Sequence, residues 1–255
     1  MPISAVVFSA QLYGIRYMGV LSLKKWNFVS FLPFYLLTVI VFIGIAGAGS
    51  RAVTVVSENM PLPRQHCFVI DAGHGGIDGG ATSCTGVLES AINLEIALRL
   101  DDLMHFLGYE TLMIRKTDTS VHTSGGSIAQ IKISDLKERA RIVNETEGAI
   151  LVSIHQNTFP ESRYSGAQVF YANADSVSLA SNLQNSFVNT LNPGSRRKSK
   201  PASGVYLMEK IQAPGILVEC GFLSNPQEEA KLRSPEYQKN IACVIASELC
   251  RFTDS

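Results

Sequence analysis

Residues 67–81 read CFVIDAGHGGIDGGA, a short apolar run that passes directly into a glycine-rich loop carrying one histidine, His74. The run has the composition of a buried strand, and the glycines let the backbone bend sharply and bring a side chain or a substrate close. Two later stretches share this character, ILVSIH at 150–155 and GILVEC at 215–220. Near-continuous apolar runs of this length are what strands covered on both faces require. Each of the three ends at or next to a histidine or glutamate: His74, His155 and Glu219.

Helical patterns lie between them. Ile92, Ile96, Leu100, Leu103 and Leu107 form one apolar stripe that stops at Gly108, a natural residue just past a helix C-terminus. A second helix is expected over 134–147, opening with Asp135 and Glu138 in capping-box spacing and burying Leu136, Ala140 and Val143. Further strands are expected at 111–115, 166–172 and 204–208, a third helix over 176–191 and a closing helix over 235–252. The β-α-β-α-β alternation predicts an α/β domain with helices on both faces of a largely parallel sheet. Such sheets bind ligands outside the carboxyl ends of their strands.

Working outward, the whole chain has 255 residues, 46% hydrophobic and 17% charged, which excludes a disordered chain. Its 22 Lys and Arg balance 22 Asp and Glu, so no nucleic-acid partner is implied. From Phe28 to Ala48 run 21 residues without a charge, about 31 Å as a helix and enough to cross a bilayer. Lys24 and Lys25 precede it and only Arg51 follows closely, which places the N-terminus in the cytoplasm and residue 51 onward outside. The expected organisation is a cytoplasmic leader over 1–27, a transmembrane anchor or signal sequence over 28–49, a linker over 50–65 and a folded domain over 66–255. AGAGS at 46–50 offers a cleavage pattern, but the apolar stretch is longer than a signal peptide needs, which favours an uncleaved anchor. A start at Met18 would give a more ordinary charged segment ahead of it. The five cysteines cannot all pair and form no CxxC, so no disulfide framework is expected.

Glu219 is the most informative polar residue, because a carboxylate inside GILVECGF is nearly buried and needs a partner. In a strand it and Cys220 point to opposite faces, so Glu219 reaches a site while Cys220 enters the core. Taken singly, Glu89 is explained as a charge near a helix N-terminus and His155 as a satisfied core histidine. A phosphate-cradling loop at 73–80 would lack the GxxxxGK[ST] pattern. Taken together, two histidines and one glutamate suit a three-ligand zinc site with a fourth position open for water, and a second glutamate suits the base that takes the water's proton. The ligands are too widely spaced for a local motif such as HExxH, so the inference rests on strand ends converging on one edge.

DAGHGGIDGGA, the Glu89-x-x-x-Asn93 helix start, SIHQN and VECGFLSN resemble the zinc-dependent N-acetylmuramoyl-L-alanine amidases of the amidase-3 family over residues 66–252. SGAQVFY, the RRK run at 196–198, GVYLM, and FLSNPQEEAKL followed by EYQKNIA resemble its germination-specific branch from endospore formers. That branch trims the peptide from muramic acid so that muramic δ-lactam can form in the spore cortex. The resemblance implies His74, Glu89 and His155 as ligands of one Zn²⁺, Glu219 as catalytic acid/base, and a three-layer αβα fold with a mixed six-stranded sheet. It further implies peptidoglycan as substrate, action in the forespore intermembrane space and an accessory lipoprotein activator, while membrane attachment through 28–48 follows from the apolar stretch itself. Relatives usually carry charged residues where this chain has Ser90 and Ala91.

Around that centre, Asn157 is a candidate donor to the substrate or the oxyanion, or a loop Asn satisfying its own backbone. Arg196, Arg197 and Lys198 are candidate partners for peptide carboxylates, or a solvated basic run. Asp71 and Asp78 are both candidates to orient His74. A zinc peptidase or deacetylase acting on another wall amide would share the metal chemistry. A non-catalytic wall-binding protein would have no reason to keep all four residues.

Overall fold

The computed structural model describes residues 7–12, 15–20 and 66–254. The chain divides into two units, Met1–Pro63 and Arg64–Ser255. In the first, Val7–Leu12 (β1) and Ile15–Val20 (β2) pair antiparallel, a ladder the sequence reading did not anticipate. The expected membrane segment at 28–48 and the linker at 50–65 lie outside the described residues. Among the described residues no helix is long and apolar enough to cross a membrane.

In the second unit the three apolar runs form Cys67–Ala72 (β3), Ala149–Asn157 (β5) and Gly215–Phe222 (β8), with Glu110–Met113 (β4), Gln168–Tyr171 (β6) and Lys200–Pro201 (β7) beside them. The helices are Glu89–Phe106 (α1), Ile128–Glu145 (α2), Val177–Thr190 (α3), Tyr206–Lys210 (α4), Pro226–Leu232 (α5) and Pro235–Thr253 (α6). The sheet order is β4-β3-β5-β8-β6-β7. The first four strands are parallel, β6 runs antiparallel to β8, and β7 is parallel to β6. This is the mixed six-stranded sheet that the resemblance implies.

Alternation along the strands sends Phe68, Ile70, Val152, Ile154 and Val218 to one face, where α1, α3 and α6 cover them. Val69, Leu151 and Leu217 pack on the other face under α2 and α4. The result is three layers, and the candidate site residues stand where β3, β5 and β8 end. All five cysteines are free, as expected.

Three local expectations are corrected. The helix placed at 134–147 begins at Ile128, because Ser127 and Gln130 form the capping box: the Ser127 hydroxyl accepts the Gln130 N–H (3.4 Å) and the Gln130 side chain accepts the Ser127 N–H (2.9 Å). Asp135 lies inside that helix, where its carboxylate pairs with Arg139 instead of capping. Residues 204–208, expected as a strand, turn at Gly204 (φ +80°) and enter α4. There the Glu209 carboxylate accepts the Gly204 N–H at 2.7 Å, and this local closure overrides the β preference of GVYLM. Helix α5 was not anticipated, although Asn225 caps it by accepting the Gln227 and Glu228 N–H groups and Pro226 stands at its first turn.

Candidate active site

His74 follows β3 and has a positive φ of 61°, uncommon for a residue with a side chain. Two buried arginines hold this backbone in place. Arg115 donates to the carbonyls of Ala72 (2.8 Å) and Gly73 (3.0 Å), and Arg139 donates to those of Ala72 (3.0 Å) and His74 (2.7 Å). Arg139 is itself paired with Asp71 and with Asp135 (2.6 Å), and Asp71 accepts the Ser153 hydroxyl at 2.6 Å. Burial raises the Asp71 pKa, but the Arg139 charge outweighs it and leaves the carboxyl below its ordinary range.

Of the two aspartates considered for orienting His74, the structure uses Asp78. Its carboxylate lies 2.8 Å from His74 Nδ1 and takes the Lys132 ammonium at 2.7 Å. Glu89, buried at the start of α1, sits between the two imidazoles: Oε2 is 3.3 Å from His74 Nε2 and Oε1 is 3.1 Å from His155 Nδ1. Its oxygens also accept the N–H groups of Ala81 (2.9 Å) and Gln156 (3.1 Å) and the Asn93 amide (3.2 Å). One ligand-capable atom from each of His74, Glu89 and His155 lies within 4.8 Å of the others. Burial lowers the His74 pKa, yet the hydrogen bonds and charges of Glu89 and Asp78 prevail and raise it to about 9. Burial raises the Glu89 pKa, but the two histidines hold its carboxyl far below the usual range.

The glycines make this approach possible. A Cβ on Gly73 would lie 2.2 Å from His155 Cε1 and Nε2, and one on Gly80 would lie 2.6 Å from Glu89 Oε2. Any side chain at either position would occupy space that the site residues fill.

Glu219 is carried by β8, whose register sets it beside His155 of β5 on one side and Gln168 of β6 on the other. Its Oε2 is buried and, among the described residues, has no hydrogen-bond partner. Burial raises its pKa to about 7, with His155 opposing and Glu89 adding to the shift. Cys220 points into the opposite core, where burial pushes its thiol far up.

The donor set fits zinc: two imidazoles and a carboxylate converge, and a carboxylate oxygen without a partner faces the same group. The four residues singled out from the sequence are thus brought together. Asn157 ends β5, its carbonyl accepting the Leu223 N–H at 2.8 Å, while its side chain has no hydrogen-bond partner among the described residues. Arg196 and Arg197 stand outside the His-Glu-His cluster. Arg197 donates to the Ser165 carbonyl (3.0 Å) and the Gln168 side chain (3.4 Å) and lies over the Phe222 ring, and Arg196 is exposed.

The supports were missed. Arg115 and Arg139 gave as a signal only charge inside otherwise half-apolar segments. Asn93 was visible as the fourth residue after Glu89 but without a role. Its amide donates to both the Glu89 carboxylate and the Gly73 carbonyl (3.1 Å), tying α1 to the loop.

Residues 68–251 match the family described as N-acetylmuramoyl-L-alanine amidase. The chain is 37% identical over 197 residues to the germination-specific N-acetylmuramoyl-L-alanine amidase of Bacillus subtilis, covering 76% of this chain and 82% of that one. Among solved structures it is similar to the CwlD amidase from Clostridioides difficile in complex with the GerS lipoprotein, with a TM-score of 0.71, 34% identity, and coverage of 74% of this chain and 98% of that one. It is also similar to an N-acetylmuramoyl-L-alanine amidase from Clostridium difficile 630, with a TM-score of 0.66, 29% identity, and coverage of 75% and 98%.

Proposed function

The chain belongs to the N-acetylmuramoyl-L-alanine amidases, peptidoglycan hydrolases, and from that premise we propose that it is a zinc enzyme with His74, Glu89 and His155 as ligands and Glu219 as catalytic acid/base. The observation that carries this reading is the placement of Glu89 between two imidazoles, with the partnerless Glu219 oxygen beside them. The bond cut is the amide between the lactyl carbonyl of N-acetylmuramic acid and L-alanine. His74, Glu89 and His155 would hold the zinc, which when bound would supply a Lewis acid for that carbonyl and would lower the pKa of a water toward about 7.

The remaining work belongs to the chain. Glu219 accepts the water's proton on its unpaired oxygen and passes it to the leaving alanine nitrogen, acting as base and then as acid. Its burial favours the protonated carboxyl between the two transfers. Asp78 fixes the His74 ring through Nδ1, and Asn93 and the Gln156 N–H fix the Glu89 carboxylate. Asn157, with a free side-chain amide, is assigned to the substrate or the developing oxyanion, and Arg196 and Arg197 to the peptide.

The biological setting follows the relatives. The Bacillus subtilis protein is named as germination-specific, which supports a role in the first step of muramic δ-lactam formation in spore cortex. That role places the domain outside the cytoplasm, in the forespore intermembrane space, anchored through 28–48. The Clostridioides difficile structure is a complex with a lipoprotein, which supports an accessory lipoprotein here. The test is zinc content together with amide hydrolysis of purified peptidoglycan by the full chain and its Glu219→Gln variant, with and without extract from sporulating cells. One zinc in both, with new L-alanine amino termini only from the parent, is expected. Turnover retained by Glu219→Gln, zinc retained by His74→Ala, or a parent inactive even with the extract would overturn it.

A further inference from the structure

Beside the site lies a cavity of about 1120 Å³ whose lining includes Arg163, Arg196, Arg197, Lys198, Lys200 and Lys231. This is a strong concentration, because residues 66–255 carry 17 Lys and Arg against 21 Asp and Glu, and six of the 17 border one cavity. Among the described residues the only carboxylate in the lining is Glu228, and both its oxygens accept backbone N–H groups, those of Gly166 (2.8 Å) and Phe222 (2.9 Å). Among the described residues none of the six cations is in an ion pair. Six positive charges gathered against one carboxylate leave a net positive cavity whose charges repel one another, an arrangement that favours an anionic ligand.

The sheet places this cavity relative to the reacting bond. Gln168 lines it and is the register neighbour of Glu219 on β6. The Gln168 amide donates to the Lys198 carbonyl at 2.6 Å, and its Oε1 accepts from Arg197. The path from Glu219 to the basic run therefore crosses two strand spacings, about 10 Å. An extended peptide advances about 3.3–3.6 Å per residue, so a group held there is roughly three residues from the scissile amide.

We propose that this cavity is a specificity site for a free carboxylate about three residues along the stem peptide from the bond that is cut. The inference rests on the amidase reading above and adds to it the chemistry of the leaving peptide. Arginine forks suit carboxylates bidentately, and the flexible lysines supply charge around them. The neutral glycan runs away from the cavity and the acidic peptide runs into it.

The test compares the full-length holoenzyme with an Arg196→Ser/Lys198→Ser/Lys231→Ser variant, all three positions being exposed. The substrates are a muramoyl tripeptide with a free C-terminal carboxylate and the same molecule as its C-terminal amide. The parent should prefer the acid by about tenfold or more in kcat/KM, as loss of charge-assisted hydrogen bonds implies. The variant should turn over both substrates alike. In parallel, binding of the free tripeptide and its amide to the metal-free chain is measured at low and high salt. The acid should bind more tightly to the parent than to the variant, and salt should narrow the difference. Equal turnover of acid and amide by the parent, or discrimination retained by the variant, overturns the proposal. If the parent, supplied with extract from sporulating cells, cuts neither substrate, the amidase reading fails by itself, and binding then decides: a tripeptide held no more tightly than its amide overturns the cavity assignment.

Discussion

Arg139→Met removes the guanidinium that joins Asp71, Asp135 and two loop carbonyls while keeping a long side chain in place. Arg139 is 2% exposed and Asp71 1%, so water cannot replace the lost partner. Breaking a buried pair from one side costs about 3–5 kcal/mol, a large part of the about 5–15 kcal/mol that holds a domain together. At about 2–4 °C per kcal/mol for a domain of this size, Tm should fall by about 6–20 °C. The pH dependence gives the mechanism. In the parent the Asp71 carboxyl lies below its unfolded value of about 3.9, so its contribution is complete above that pH and is lost as pH falls through the folded value. In Arg139→Met, burial without a cation, with only the Ser153 hydroxyl left as partner, lifts the folded pKa above the unfolded one, so that contribution is present at low pH and lost as pH rises. The deficit against the parent should therefore shrink between about pH 7 and about pH 4.5, and adding Asp71→Asn should recover part of it. Circular dichroism melts and urea titrations of the full chain measure all three. A deficit below about 1 kcal/mol, or one indifferent to both pH and Asp71→Asn, would refute the reasoning.

Gly73→Ala should cost metal rather than fold, because the new Cβ lies 2.2 Å from the His155 ring and must displace it; a folded variant with full zinc content would count against the ligand geometry. Asp78→Asn should weaken zinc binding by about 10–100-fold, read by competition with a chelator, and unchanged affinity would mean that the Nδ1 contact does not hold His74. Ser127→Ala should lower stability by about 1 kcal/mol in urea unfolding, and no shift would show that the capping box does not hold the start of α2.

The parts of this structure legible in the sequence were those written in strong periodicity. The runs at 67–71, 150–155 and 215–220 became the three strands that carry the centre, because continuous apolar character has few other uses in a domain of this size. His74, Glu89, His155 and Glu219 could be singled out because each marks a strand end, a helix start or a buried carboxylate, but their roles came from the resemblance of the motifs around them to the amidase-3 family. What failed was local. GVYLM has β-prone residues, but one glycine turn and one carboxylate closed it as a helix. The start of α2 was placed late because Asp135 looked like a cap and is instead half of a buried ion pair whose partner Asp71–Arg139 contact spans 68 residues. Arg115 and Arg139 act on backbone carbonyls far away in sequence, and no spacing rule reports such contacts. The basic cavity was only partly legible: Arg196 and Arg197 were adjacent letters, whereas Arg163 and Lys231 join them only through folding.

The strand order sets a timetable for a chain made from its N-terminus. β8 sits between β5 and β6, yet it is synthesised after both and after β7. Until residue 222 has emerged, the inner edges of β5 and β6 have no partner, and β6 is supported in the sheet only by the two residues of β7. Open edges of this kind pair with whatever strand is near, so fragments that end before β8 should be sticky and short-lived. The sheet cannot close while its centre is missing. A chain whose sheet lacks its central strand until residue 222 is made becomes an enzyme only after nearly all of it has been synthesised.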